Sequence, residues 1–154
     1  MSDVYLARVD SPDFEETVEA AVDVGEFEDV PDPLSGAEEG RLWGVGPGSR
    51  NESNFEKLES GDLVLFYRDG EYVGSAWVEA TFDDAWASET LWEDSDVTMC
   101  YTLSGYQAIS VPKRKVNTIF GYSEGYSPSE LMRVNPDNVD AQPAAIELAL
   151  ERVS

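Results

Sequence analysis

The chain has no histidine, three lysines, one cysteine and no apolar run near the roughly 18 residues that a membrane-spanning helix needs. Each absence excludes something. Without histidine there is no Ser-His-Asp or Cys-His nucleophile and no His-ligated metal site, which removes much of hydrolase chemistry. The lone Cys100, in "VTMCYTL", has no partner for an intrachain disulfide, which predicts an intracellular protein. The chain does not open on a charged-then-apolar leader, so the expectation is a cytoplasmic protein with no membrane partner. Cations are scarce throughout: ten Lys+Arg stand against 32 Asp+Glu, a formal charge of -22.

Aromatic residues are plentiful. Four Trp, seven Tyr and six Phe supply the apolar area that disordered chains of comparable charge lack. With 154 residues and 42% apolar content, the chain can bury one core, so a single domain over 1–154 is expected. The acidic excess reads as a halophile-like surface, kept soluble in strong salt that screens its self-repulsion. A specifically acidic binding surface is the other reading.

Local signals divide the chain into short elements. "VYLARV" (Val4–Val9) reads as a strand, and "SPDFEETVEAAV" as a helix with Ser11 as N-cap and Pro12 at its first position. Asp23–Gly40 is acidic, carries two prolines and lacks periodicity, which predicts a long surface flap. "NESNFEKLES" reads as a short helix capped by Asn51, and "DLVLFYRDGEYVGSAWVEA" as a hairpin turning at Asp69-Gly70. "FDDAWASETLWED" looks irregular. "DVTMCYTLS" and "YQAISV" read as two strands joined through Gly105 and ended by Pro112. "VPKRKVNTIFGY" has room for a helical turn, and "SPSELMRV" has a capping box of Ser127, Pro128 and Glu130 that predicts another helix. A helix over about 143–153 would bury Ile146, Leu148, Leu150 and Val153. The sum is an α+β chain, a small mixed β-barrel of five or six strands with peripheral short helices.

Candidate chemistry is sparse. "GVGPGSRNES" superficially matches a phosphate-cradling loop but lacks the Gly-Lys-Ser/Thr that completes one. Acid pairs such as Asp83-Asp84 carry little weight in so acidic a chain, and neither a metal nor a cofactor is expected. Trp77 reads as core. Trp43, Trp86 and Trp92 sit beside turn-rich segments, where a large aromatic either plugs a barrel end or walls a pocket. Lys113, Arg114 and Lys115 form one basic cluster, and Arg41 and Arg50 bracket Trp43. These five either meet a phosphate backbone or protect strand edges and pair with acids.

The ordered set "VYLARVDSP", "RLWGV", "LESGDLVLFY", "GEYVGSAWVEA" and "LWED" resembles the EVE and YTH branch of the PUA-like superfamily over Val4–Val134. That resemblance implies a non-catalytic reader that holds a flipped, modified base of DNA or RNA in an aromatic cage. Trp43 would be one cage wall and Trp92 the other, facing it across a gap. Asp10 and Ser11 would meet the base edge, with Asn54 and Tyr106 as further pocket residues. Such a domain would serve a defence or restriction system beside an effector nuclease or nucleoside triphosphatase. Two other classes stay open. One is a ribonuclease of a related branch using Lys113, Lys115, Tyr106 or Tyr122, and the other is a protein-interaction module docking through its aromatic loop.

Overall fold

The computed structural model describes residues 3–9, 13–92, 96–135, 137 and 143–153. Six strands form one sheet: β1 (Val4–Arg8), β2 (Arg41–Val45), β3 (Leu63–Arg68), β4 (Glu71–Asp83), β5 (Met99–Pro112) and β6 (Leu131–Arg133). Their order is β2-β5-β4-β3-β1-β6. The β1–β3 pair is parallel and the remaining pairs are antiparallel. Among the described residues, four α-helices accompany the sheet, α1 (Ser49–Lys57), α2 (Trp86–Thr90), α3 (Lys113–Phe120) and α4 (Pro143–Val153), with a π-helical turn at Glu15–Glu19 in the expected first helix and 3-10 turns at Val24–Glu26 and Asp32–Leu34.

The central strands read as unbroken apolar runs because both of their faces are buried. Alternation sends Tyr5, Ala7, Val64 and Phe66 to an inner cluster shared with Val78 and Tyr101. Val4, Leu6, Leu63 and Leu65 turn the other way, beneath Val116 and Phe120 of α3 and Ile146 and Leu150 of α4. A third cluster, with Leu42, Trp86, Trp92 and Cys100, underlies β2. The hairpin lies at Asp69-Gly70, whose φ angles of 51° and 90° suit the left-handed turn that a twisted two-residue hairpin requires.

Several expectations need correction. β5 is one strand of 14 residues, not two. Gly105, at φ 59°, bends it without breaking it, and a side chain there would meet Trp77 at 3.1 Å. The "SPSELMRV" segment is not a helix: Leu131–Arg133 pairs with β1, while the Ser127 hydroxyl lies 3.1 Å from that of Tyr67 and accepts from Lys113 Nζ at 3.2 Å. A non-local ladder and a buried Pro128 outweigh the local capping signal. Asn51 lies inside the first turn of α1, with Gly48 at the cap position. "WASET" is helical rather than irregular.

The Asp23–Gly40 segment is not a free flap. Val22 and Gly40 exchange backbone hydrogen bonds of 2.8 and 3.0 Å across its neck, Val24 and Leu34 are buried, and Trp86 Nε1 donates to the Glu28 carbonyl at 3.2 Å. In α4, Ile146 and Leu150 are buried but Leu148 is exposed, one face short of the expected stripe.

Candidate functional site

Strand order makes β2 and β6 the two edges of the sheet, and the sheet curls until these edges approach one another. Helix α1 ties them together. Asn54 Nδ2 donates to the Leu131 carbonyl at 2.9 Å on one edge, and Asn51 Nδ2 donates to the Gly46 carbonyl at 3.1 Å beside the other. Asn51 also donates to the Glu130 carboxylate. Where the edges do not close, a cavity of about 380 Å³ opens, lined by Arg8, Trp43, Gly44–Gly46, Tyr101 and Glu130 among others. A cavity of this size falls within the range of small-ligand sites, roughly 300–1,000 Å³.

Trp43 forms part of its wall. The indole is half-buried and held by Phe14 and Trp92, each 5.7 Å away between ring centroids at interplanar angles of 85° and 69°. Trp92 is only 3% exposed and packs where Gly44 has no side chain, since a Cβ there would lie 2.9 Å from its ring and 2.3 Å from Val97. The two indoles therefore meet edge to face, with no slot between them for a planar base. Trp92 buttresses Trp43 instead of facing it.

Tyr101 is paired with Trp43 across the β2–β5 ladder and is fully buried. Its hydroxyl has no hydrogen-bond partner among the described residues. Burial, and secondarily Cys100, pushes its pKa well above the usual phenol range, so it remains a neutral donor. At the mouth, the Arg8 backbone N–H donates to the Glu130 carbonyl at 2.9 Å, which brings both side chains to the cavity. Arg8 is exposed and makes no ion pair among the described residues.

Neither a protein-family model nor a curated protein matches this chain. Solved structures do. The chain is similar to the N-terminal domain of Thermococcus gammatolerans McrB bound to m5C DNA, with TM-score 0.74 and 17% identity over 97% of this chain and 99% of that one. It is also similar to human THYN1 in complex with 5-methylcytosine-containing DNA, with TM-score 0.51 and 10% identity over 99% of each chain. A Pseudomonas putida protein gives TM-score 0.55 and 16% identity over 96% and 99% of the respective chains. The chain shares its fold with these structures.

Within this curled sheet the other expected site residues are scattered. Asp10 and Ser11 lie outside the described residues. Asn54 is committed to closing the seam and does not line the cavity. Tyr106 lies beyond Phe14 from Trp43, over Gly74 and beneath the Arg41 guanidinium, 5.4 Å from its centroid. Arg41 itself donates from Nε to the Val18 carbonyl at 2.7 Å, and with Tyr106 and Arg68 it lines a separate open groove. Lys113 Nζ donates to Gly125 and Ser127, while Arg114 and Lys115 are exposed on α3, which packs across the sheet from the Trp43 cavity. Arg50 is exposed on α1. None of Arg50, Lys113, Arg114 and Lys115 lines the cavity.

Tyr122 stacks on Tyr126 at 4.5 Å and 20°, away from the cavity. Among the described residues no group of three or more His, Cys, Asp or Glu is placed to hold a metal. Nor is any helix there long and apolar enough to cross a membrane.

Arg8, Tyr101 and Glu130 are among the cavity residues that sequence reasoning missed. Arg8 carried a readable signal, a scarce cation ending an apolar strand. Tyr101 is indistinguishable from core within "VTMCYTL", and Glu130 carries a misleading capping signature.

Proposed function

We propose that this protein is a non-catalytic reader that takes one flipped, modified base of DNA into the seam cavity, against Trp43. The observation that carries this reading is the cavity itself: an opening of about 380 Å³ between the sheet edges, with a half-buried indole in its wall and, among its lining residues, the buried Tyr101, whose hydroxyl has no partner among the described residues. The likeness of the fold to two proteins solved with methylcytosine-containing DNA supports it.

The energetics are feasible with one aromatic wall in place of two. Stacking on an aromatic side chain contributes about 1–3 kcal/mol, and a buried methyl adds about 0.8 kcal/mol. A hydrogen bond to a buried hydroxyl otherwise left unpaired recovers a further 1–3 kcal/mol or so. Extrusion of the base costs a few kcal/mol. The terms balance narrowly, so a single methyl group can decide occupancy.

Arg8, exposed at the cavity mouth, would meet the phosphate beside the flipped nucleotide. With so few other cations at the cavity, most of the affinity would come from the base, and it would survive strong salt better than phosphate contacts do. A protein of this kind suits the sensing part of a defence or restriction system, with an effector nuclease or nucleoside triphosphatase as partner.

The test is binding of wild type and Trp43→Ala to methylated and unmethylated oligonucleotides in molar salt. Wild type should prefer the methylated strand, and the variant should lose about 5- to 150-fold in affinity while keeping its fold. Equal binding of the methylated strand by both proteins would remove Trp43 from the site.

A further inference from the structure

The open groove of Arg41, Arg68 and Tyr106 shares no residue with the seam cavity, and its two cations are held in place. Arg41 commits its Nε to the Val18 carbonyl at 2.7 Å and lies over the Tyr106 ring, 5.4 Å from the centroid. Both of its Nη nitrogens are left without a hydrogen bond or ion pair among the described residues, in a chain with 32 acids. A guanidinium fixed by a carbonyl and an aromatic face is a preorganised fork for an oxyanion.

Arg68 brings a second positive charge to the same groove. It lies over Phe14, 5.8 Å from that centroid, and pairs with Glu15 at 3.9 Å and Glu19 at 3.5 Å. These pairs are long and partly exposed, so an incoming anion can replace them at little cost. Tyr106 rests on Gly74, where an added Cβ would lie 3.0 Å from the phenol oxygen. Burial raises the Tyr106 pKa and Glu19 adds to the rise, while Arg41 and Arg68 oppose it. The hydroxyl is therefore a neutral donor within the field of both guanidiniums.

From this arrangement we infer that the groove is a second binding site, which takes a terminal phosphate dianion, the group shared by inorganic phosphate, a mononucleotide and the 5′ end of a phosphorylated strand. A phosphodiester within a strand offers one negative charge and two unbridged oxygens. A terminal phosphate offers three acceptor oxygens and, with a second pKa of about 6, close to two charges at neutral pH. The Arg41 fork takes two of those oxygens, the Tyr106 hydroxyl donates to the third, and Arg68 balances the second charge. Val73 and Ala108 give the group attached to the phosphate an apolar side to lie against. Glu19, exposed at the rim, opposes the ligand and sets a modest affinity. The inference stands apart from the reader function, since it uses no residue of the cavity.

Inorganic phosphate and acetate, titrated at constant ionic strength and about pH 7.5, above the second phosphate pKa, test the site when the arginine Nε–H and Tyr106 signals are followed by NMR. Wild type should bind phosphate saturably and acetate about 10-fold more weakly or worse. Arg41→Lys keeps the charge but loses the fork, and should weaken phosphate binding by about 10-fold or more. Glu19→Gln should tighten it several-fold, whereas Glu89→Gln, which removes the same charge from an exposed position on α2, should not. Glu19 is exposed, so its variant tests the site even where loss of the Val18 contact destabilises Arg41→Lys.

One unmodified oligonucleotide, with a 5′-phosphate or a 5′-hydroxyl, identifies the source of the phosphate. Tighter binding of the phosphorylated strand, lost in Arg41→Lys, puts a strand end in the groove. Equal binding of the two strands, with inorganic phosphate still bound, makes a free phosphate or mononucleotide the ligand. No saturable binding of phosphate, free or at a strand end, overturns the inference, as does binding that acetate matches or that neither Arg41→Lys nor Glu19→Gln moves. The reader function survives each of these outcomes, because its own test lies at Trp43.

Discussion

Trp43 and Tyr101 stand directly opposite one another across the β2–β5 ladder, so an indole and a buried phenol issue from the same face of the sheet beside the barrel seam. One supplies a stacking surface and the other an unpaired hydroxyl. The arrangement separates residues that touch a ligand from residues that hold those in place, and the separation is measurable.

Trp92 belongs to the second group. Because it is almost wholly buried, Trp92→Ala should destabilise the protein by about 3–5 kcal/mol. Trp43→Ala, at a half-buried position, should cost less stability and more binding. Urea unfolding and oligonucleotide titration of the two variants should rank them in opposite orders, and the same order in both assays would contradict this division.

Gly44 makes the buttress possible. Gly44→Ala places a Cβ 2.3 Å from Val97 Cγ1 and 2.9 Å from Trp92 Cζ3. Overpacking of this kind costs about 1–3 kcal/mol, and displacement of Trp92 should also disturb the Trp43 wall. Unfolding midpoints equal to those of wild type would show that the strand shifts freely, against this account.

Two carboxyl groups set an unusual pH dependence. Burial, the largest cause, raises the pKa of Asp62, although the backbone N–H groups of Asp3 and Glu59 donate to it and oppose the shift. Glu147 is raised mainly by burial, opposed by a hydrogen bond from Trp77 and reinforced by Glu151. A pKa raised on folding means that the native state holds its proton more tightly. The stabilisation is fully present below the unfolded pKa and is lost as pH rises through the folded one. Melting temperature should therefore rise as pH falls from neutrality toward the ordinary carboxylate pKa range, about 4. Molar salt should leave part of that slope, because screening removes self-repulsion but not burial. A flat profile in molar salt would contradict the assignment.

Arg8 gives a salt signature. If it meets one phosphate, Arg8→Gln should reduce the slope of log affinity against log salt by about 0.9 on duplex DNA, and affect methylated and unmethylated strands alike. An unchanged slope would place the backbone elsewhere.

What the sequence made legible was local. The Asp69-Gly70 hairpin, the doubly buried β3 run and the 143–153 helix each announce themselves within a dozen residues, and Trp43 stood out beside its glycines. The rest depends on contacts between distant segments. Leu131–Arg133 is a strand because β1 is there to pair with it, and Glu130 reaches the cavity for the same reason. Gly105 looks like a turn until Trp77 is seen packed against it. Trp92, in a segment that reads as open loop, is drawn into the interior by the space that Gly44 leaves.

The most direct measurement is a structure of the protein with an oligonucleotide carrying one modified base. The account predicts that base out of the helix, inside the seam between β2 and β6, with its ring against Trp43 and its edge toward Tyr101. A base that stays stacked in the strand, or lodges in the groove of Arg41 and Tyr106, would contradict it.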